Sequence, residues 1–251
     1  MLTNLKGDFY IQPPATNHQT LITWRIMNKD QLKASFGRFM YGMSDLMILN
    51  LLTLFCCLPI LTIGPVLCAL YSITLKLVRN RAVDILRDFF SAFKDNFKNG
   101  FIFGLIAAFG AVVIFADGVY AFSIEGAAKI FFCIVTGIIA AIWLTYVCYV
   151  FALQARYENS VIGHIKNAFK LAFISPVQTI LLWVIHAIPV ALILVLPRNV
   201  AAQIGVFYLM FGVSLPVFCC CKILNGIFAR FNPEEMIDPE HEDELYHSSH
   251  H

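Results

Sequence analysis

The chain has 251 residues, of which 59% are apolar, 14% aromatic and only 14% charged, and its formal net charge is +2. That composition lies beyond a water-soluble domain, and no polar block is long enough to fold alone. The charge is small and spread through the flanks of apolar runs, which points away from nucleic-acid binding.

Residues 1–28 form a polar N-terminal extension with Pro13 and Pro14, and the membrane domain is expected over 29–231. A faint apolar stripe, Leu32, Phe36, Phe39 and Met40, precedes the first apolar run at 46–61. Because that run begins behind a polar stretch, no cleaved signal peptide is expected, and the first span acts as its own targeting signal. The segment from Cys56 to Pro65 reads as a tight outer turn. Pro59 and Pro65 cannot continue a helical ladder, Gly64 tolerates a positive φ, and Thr62 can donate to the carbonyls freed there.

The second apolar run, 66–78, is short enough to sit tilted or partly re-entrant. Between it and the third run, 101–122, Ile85, Leu86, Phe89, Phe90, Phe93 and Phe97 share one helical stripe opposite Arg87, Asp88, Ser91, Lys94, Asp95 and Lys98. This is the pattern of a helix lying in the membrane plane, a cytoplasmic elbow. The third run opens with Gly100, Gly104 and Ala108, a small-residue face suited to helix packing or, more sharply, to assembly.

The fourth run covers 130–153, after which the elbow stripe returns 76 residues on as Val161, Ile162, Ile165, Phe169 and Phe173. Runs at 171–196 and 200–221 follow, and residues 232–251 form an acidic tail expected to be disordered. The architecture expected is therefore all-α, with about six transmembrane helices in three elbow-plus-hairpin units. Of 18 basic residues, 16 fall on one side of these spans, leaving only Lys129 and Arg198 opposite, which sets both termini in the cytoplasm.

The eight cysteines lie in spans or at their ends, with no CxxC pair and no His at ligand spacing in the sequence, so no metal site is expected. They read as small fillers at helix contacts, with Cys219 to Cys221 beside Lys222 as an alternative acylation site. Nucleotide, nucleophile-elbow and zinc-helix motifs are absent, and HisGluAspGluLeu at 241–245 fails at its last position, so neither enzyme chemistry nor a cofactor is expected.

Polar groups within spans are the remaining functional leads, since hydrocarbon penalises them unless they are paired or hydrated. Asp45 reads as an interfacial cap or as part of a polar path, and Asn50 as an interhelical hydrogen bond or a ligand contact. Asp117 lies near the outer end of its span. His186, three residues before Pro189, either donates to carbonyls freed by the proline or lines a hydrated cavity. Gln154, Arg156 and Gln178 read as interface anchors, and Trp143, Trp183 and Tyr208 as packing residues.

Asp45, LeuMetIleLeuAsn at 46–50, LeuProIleLeuThrIleGlyPro at 58–65, AlaLeuTyr at 69–71 and AspPhePheSerAlaPheLysAspAsnPheLys at 88–98 together resemble the YesL-like family of bacterial membrane proteins. The likeness is dense over 36–104 and thins to a shared pattern of spans through about 230. It implies a multi-pass protein of the bacterial plasma membrane, of unknown function, found beside carbohydrate importers. The expectation is a non-enzymatic accessory or assembly subunit in carbohydrate uptake, touching membrane lipid and either importer subunits of the ATP-binding-cassette type or its own copies. The alternative is a carrier or channel for a small neutral solute or lipid.

Overall fold

The computed structural model describes residues 42–79, 81–195, 205 and 207–231, with backbone alone for 189–195. The N-terminal extension, the faint elbow at Leu32 to Met40, Arg198 and the acidic tail lie outside the described residues. Every element among those described is helical. They are α1 (Gly42–Cys56), a 3-10 turn (Ile60–Thr62), α2 (Ile63–Val78), α3 (Ile85–Asp95) and α4 (Phe97–Ser123). After these come α5 (Ala127–Arg156), α6 (Val161–Ile174), α7 (Pro176–Val195) and α8 (Ser214–Phe231).

This is an all-α polytopic membrane protein. Among the described residues, four stretches are long and apolar enough to cross a bilayer: Ile60–Val78, α4, α5 and α8. α6 and α7 satisfy the same test together but are bent by 107° at Ser175. α1 is a shorter apolar helix that begins and ends earlier than the run expected at 46–61. The run expected at 200–221 is not one helix either. Residues 207–211 are helical, the chain turns at Gly212 and Val213, and α8 then continues past the expected end to Phe231.

The second apolar run, the shortest in the sequence, is the central helix. α2 packs against α3, α4, α5 and α8, and buries Leu70, Tyr71 and Ile73 among Phe103, Tyr149, Phe151 and Phe228. Its start also corrects the turn as read from sequence. The reversal runs through Cys57 to Thr62, whereas Gly64 and Pro65 already belong to the first turn of α2, where the missing proline N–H costs nothing. Gly64 does not adopt a positive φ; among the described glycines only Gly126 does, with φ 74°.

Gly64 is required for a different reason. A Cβ there would lie 2.0 Å from the carbonyl oxygen of Gly100, and one on Gly104 would lie 2.9 Å from the Gly64 Cα. Lipid is as apolar as leucine, so helices in a bilayer gain little from hiding apolar surface and rely on close packing instead. The small-residue face of α4 is thus occupied by α2 of the same chain.

Both elbows form, and their caps obey the repeat. Asp84 caps α3 by accepting from the Arg87 N–H at 3.3 Å, and Ser160 caps α6 by accepting from the Gly163 N–H at 3.1 Å. Cap and first helical residue recur at the 76-residue offset that relates the apolar stripes. Phe89 is fully buried and Phe93 packs against the core, while Phe90 faces outward, as befits a helix lying between protein and lipid; Phe97, expected on the same elbow, is instead the exposed first residue of α4.

The second elbow bends sharply into α7. Pro176 sits at the first position of α7, and the Thr179 hydroxyl lies 3.0 Å from the Ser175 carbonyl and 3.3 Å from that of Ala172. Carbonyls only accept, so the Thr179 proton is directed to them and the Tyr149 hydroxyl, 2.8 Å away, donates to Thr179. This ties α5 to the bend.

Candidate functional site

Asn50 lies fully buried on α1. Its Nδ2 donates to the carbonyls of Leu209 at 2.8 Å and Tyr208 at 3.5 Å, and its Oδ1 accepts from the backbone N–H groups of Val213 and Ser214, both at 2.9 Å. The chain breaks its helix at Gly212 and Val213, and the Leu209 carbonyl and the Val213 and Ser214 N–H groups would otherwise be unpaired in hydrocarbon. One amide therefore clasps the break, with its hydrogen-bonding capacity committed to backbone.

Asp45, five residues before Asn50, is half-buried, and burial raises its carboxyl above the ordinary carboxylate range. The helix already includes Gly42, so Asp45 lies within it and is not its cap, as one reading of the sequence held.

His186 faces a cavity of about 260 Å³ between α2, α5, α7 and the start of α8, lined also by Tyr71, Phe151, Tyr208 and Val217. Its Nδ1 is 2.9 Å from the Leu182 carbonyl, so that nitrogen carries the proton and donates. The acceptor is the carbonyl of its own preceding turn, not the one Pro189 would free, which corrects the expectation that His186 donates to a carbonyl freed by the proline. Cys148 Sγ and Cys220 Sγ lie 3.6 and 3.7 Å from the same nitrogen. The sequence spacing of these three residues carries no hint of that meeting. Still, no group of three His, Cys, Asp or Glu among the described residues is arranged to hold a metal ion.

Asp117 accepts a hydrogen bond from the Thr136 hydroxyl, which joins the outer halves of α4 and α5. The candidates are not brought together: Asp117 belongs to this outer hairpin, Asn50 to the α1 clasp and His186 to the cavity. Of the cysteine run, Cys220 and Cys221 are buried and Cys219 is exposed; all eight cysteines are free thiols. At the outer turn the Thr62 hydroxyl lies 2.6 Å from the carbonyls of both Cys56 and Pro59, the service expected of it. Ala108 follows Gly104 on α4, where Trp143 takes over the contact with α5: its Nε1 donates to the Ala107 carbonyl at 2.8 Å, and its ring lies over Gly110.

Two clusters escape sequence reasoning. Gln154 on α5 donates to Asn96 Oδ1 at 2.9 Å and accepts from Asn99 at 3.4 Å, which fixes the α3–α4 junction. Arg79 and Arg156 both reach Asn225 Oδ1, at 3.3 and 3.4 Å, so α2 and α5 meet α8 at the basic-flanked face. His164 on α6 is 1% exposed, edge-on to Phe103, with no hydrogen-bond partner for either ring nitrogen, and burial holds its pKa below the ordinary histidine value. A polar residue on an elbow helix reads from sequence as solvent-facing, and only the packing of α6 reveals otherwise.

No curated protein and no solved structure matches this chain. Residues 46–118, which hold the outer turn, the glycine contact and the first elbow, match a family described as a protein of unknown function, DUF624, and over that stretch the chain is similar to it.

Proposed function

We propose that this protein is a non-enzymatic accessory or assembly subunit of the bacterial plasma membrane, associated with carbohydrate uptake. The reading rests chiefly on the α4–α5 hairpin. Its outer half carries Phe109, Val112, Phe115, Ile134 and Ile138, all exposed, and no other described element of the chain covers them. Such a flank suits a neighbouring membrane subunit, because bulky side chains projecting from a rigid hairpin can interlock with another helix. The family resemblance supplies the association with importers of the ATP-binding-cassette type. Extraction in mild detergent and mass spectrometry of what comes along tests this. Stoichiometric recovery of permease subunits, lost in a Phe109→Ala/Phe115→Ala variant that still folds, is the expected result; recovery of the chain alone would overturn it.

A second reading, a carrier for a small neutral solute or lipid, draws support from the cavity beside His186. A partly open cavity lined by a histidine and two tyrosines is a place where such a solute could sit. Uptake into liposomes that His186→Ala abolishes would favour it, and unchanged uptake would remove His186 from any path.

A further inference from the structure

We propose that the corner between α5, α6 and α8 binds one anionic phospholipid, its phosphate on Lys170 and Asn167 and an acyl chain against Leu171, Ile174 and Phe231. A cavity of about 230 Å³ opens there, with the two polar residues on one side and apolar side chains for the rest. Asn167 is half-buried and Lys170 exposed, and neither makes a hydrogen bond or ion pair with another described residue. Asn167 keeps some access to solvent, so its amide and the Lys170 ammonium are both open to a ligand oxygen.

Among the described residues that line the cavity, Lys170 is the charged one, and none is Asp or Glu. The Arg156 guanidinium lies over the rings of Tyr157 and Phe228, at 5.4 and 5.0 Å, and both rings line the cavity, so a second cation stands behind its wall. The corner lies on the face that carries the basic flanks, where anionic headgroups sit at the level of an in-plane helix. Lysine is suited to the task because its ammonium is a compact charge on a flexible stem. The apolar floor selects a lipid over a free phosphate ester, since a headgroup alone would leave the floor uncovered.

The elbow repeat provides a matched control. Lys94 occupies on α3 the position that Lys170 occupies on α6, and it lies outside this cavity. The test is native mass spectrometry of the purified full chain, released from nanodiscs of phosphatidylcholine with or without phosphatidylglycerol. One retained phosphatidylglycerol per chain is expected, with about fivefold less in Lys170→Gln. Ile174→Trp should also displace it by filling the floor, while Lys94→Gln keeps it; gel filtration verifies that each variant is folded. Equal retention of phosphatidylcholine, an equal loss in Lys94→Gln, or full displacement by soluble glycerol phosphate would each overturn the proposal.

Discussion

The two halves of the α4–α5 hairpin share a composition and differ in nearly everything else. The inner half buries Gly100 and Phe103 on α4 and Tyr146 and Cys148 to Leu153 on α5, against α2 and the two elbows. The outer half packs mainly on itself, through Tyr120 against Phe132 at 5.0 Å and the Asp117 to Thr136 hydrogen bond. Over their most apolar stretches α4 and α5 are only 6% and 11% buried, against 56% for the segment containing α2. Hydropathy therefore does not report burial within a membrane. The more apolar helices are the ones that face lipid or a partner, while the buried segment is the less apolar one.

The largest predicted effect comes from the tightest inner contact. Gly64→Ala places a methyl group against backbone that cannot yield, and should cost about 3 kcal/mol or more, seen as loss of the folded monomer in detergent. Asn50→Leu strands the Val213 and Ser214 N–H groups and should cost roughly 2–3 kcal/mol in reversible unfolding. Thr136→Val removes the partner of Asp117 in the outer half and should cost only about 1 kcal/mol, with the inner contacts unchanged.

His164 adds a pH dependence to the inner half. Its pKa is lowered on folding, so the folded state binds fewer protons than the unfolded one. Stability should therefore hold above the ordinary histidine pKa of about 6.5 and fall as pH drops through that value toward the lower folded one. Unfolding midpoints at pH 7.5 and 5.5 measure this; His164→Leu should flatten the change, and an identical drop in that variant would refute the assignment. Smallest of all, Gly118→Ala in the outer half meets nothing within 4 Å and should raise stability by about 0.5–1 kcal/mol. A clear loss there would mean that the outer half is packed after all.

Class, elbows and the outer reversal were legible because each rests on a local pattern: apolar run length, a 3.6-residue stripe and proline chemistry. The caps Asp84 and Ser160 could also have been found, since each directly precedes an apolar stripe at the repeat offset. The break at Gly212 and Val213 was not legible, because it is stabilised by Asn50, more than 160 residues away, and an unbroken apolar run gives no warning of it. Likewise the meeting of His186 with Cys148 and Cys220 depends on how three helices are rotated, and no single segment encodes that. Gly64 was identified as special for the wrong reason: sequence suggests a turn conformation, whereas its use is to admit α4.

The Asn50 clasp also bears on how the protein is made. Its acceptors and donors are synthesised long after α1 has left the ribosome, so α1 must wait in the bilayer with an unsatisfied amide until the segment from Leu209 to Ser214 arrives. A nascent chain stalled before Leu209 would expose that amide to lipid or to the insertion machinery. Completion of synthesis, and not the insertion of each span in turn, is then the event that closes the bundle.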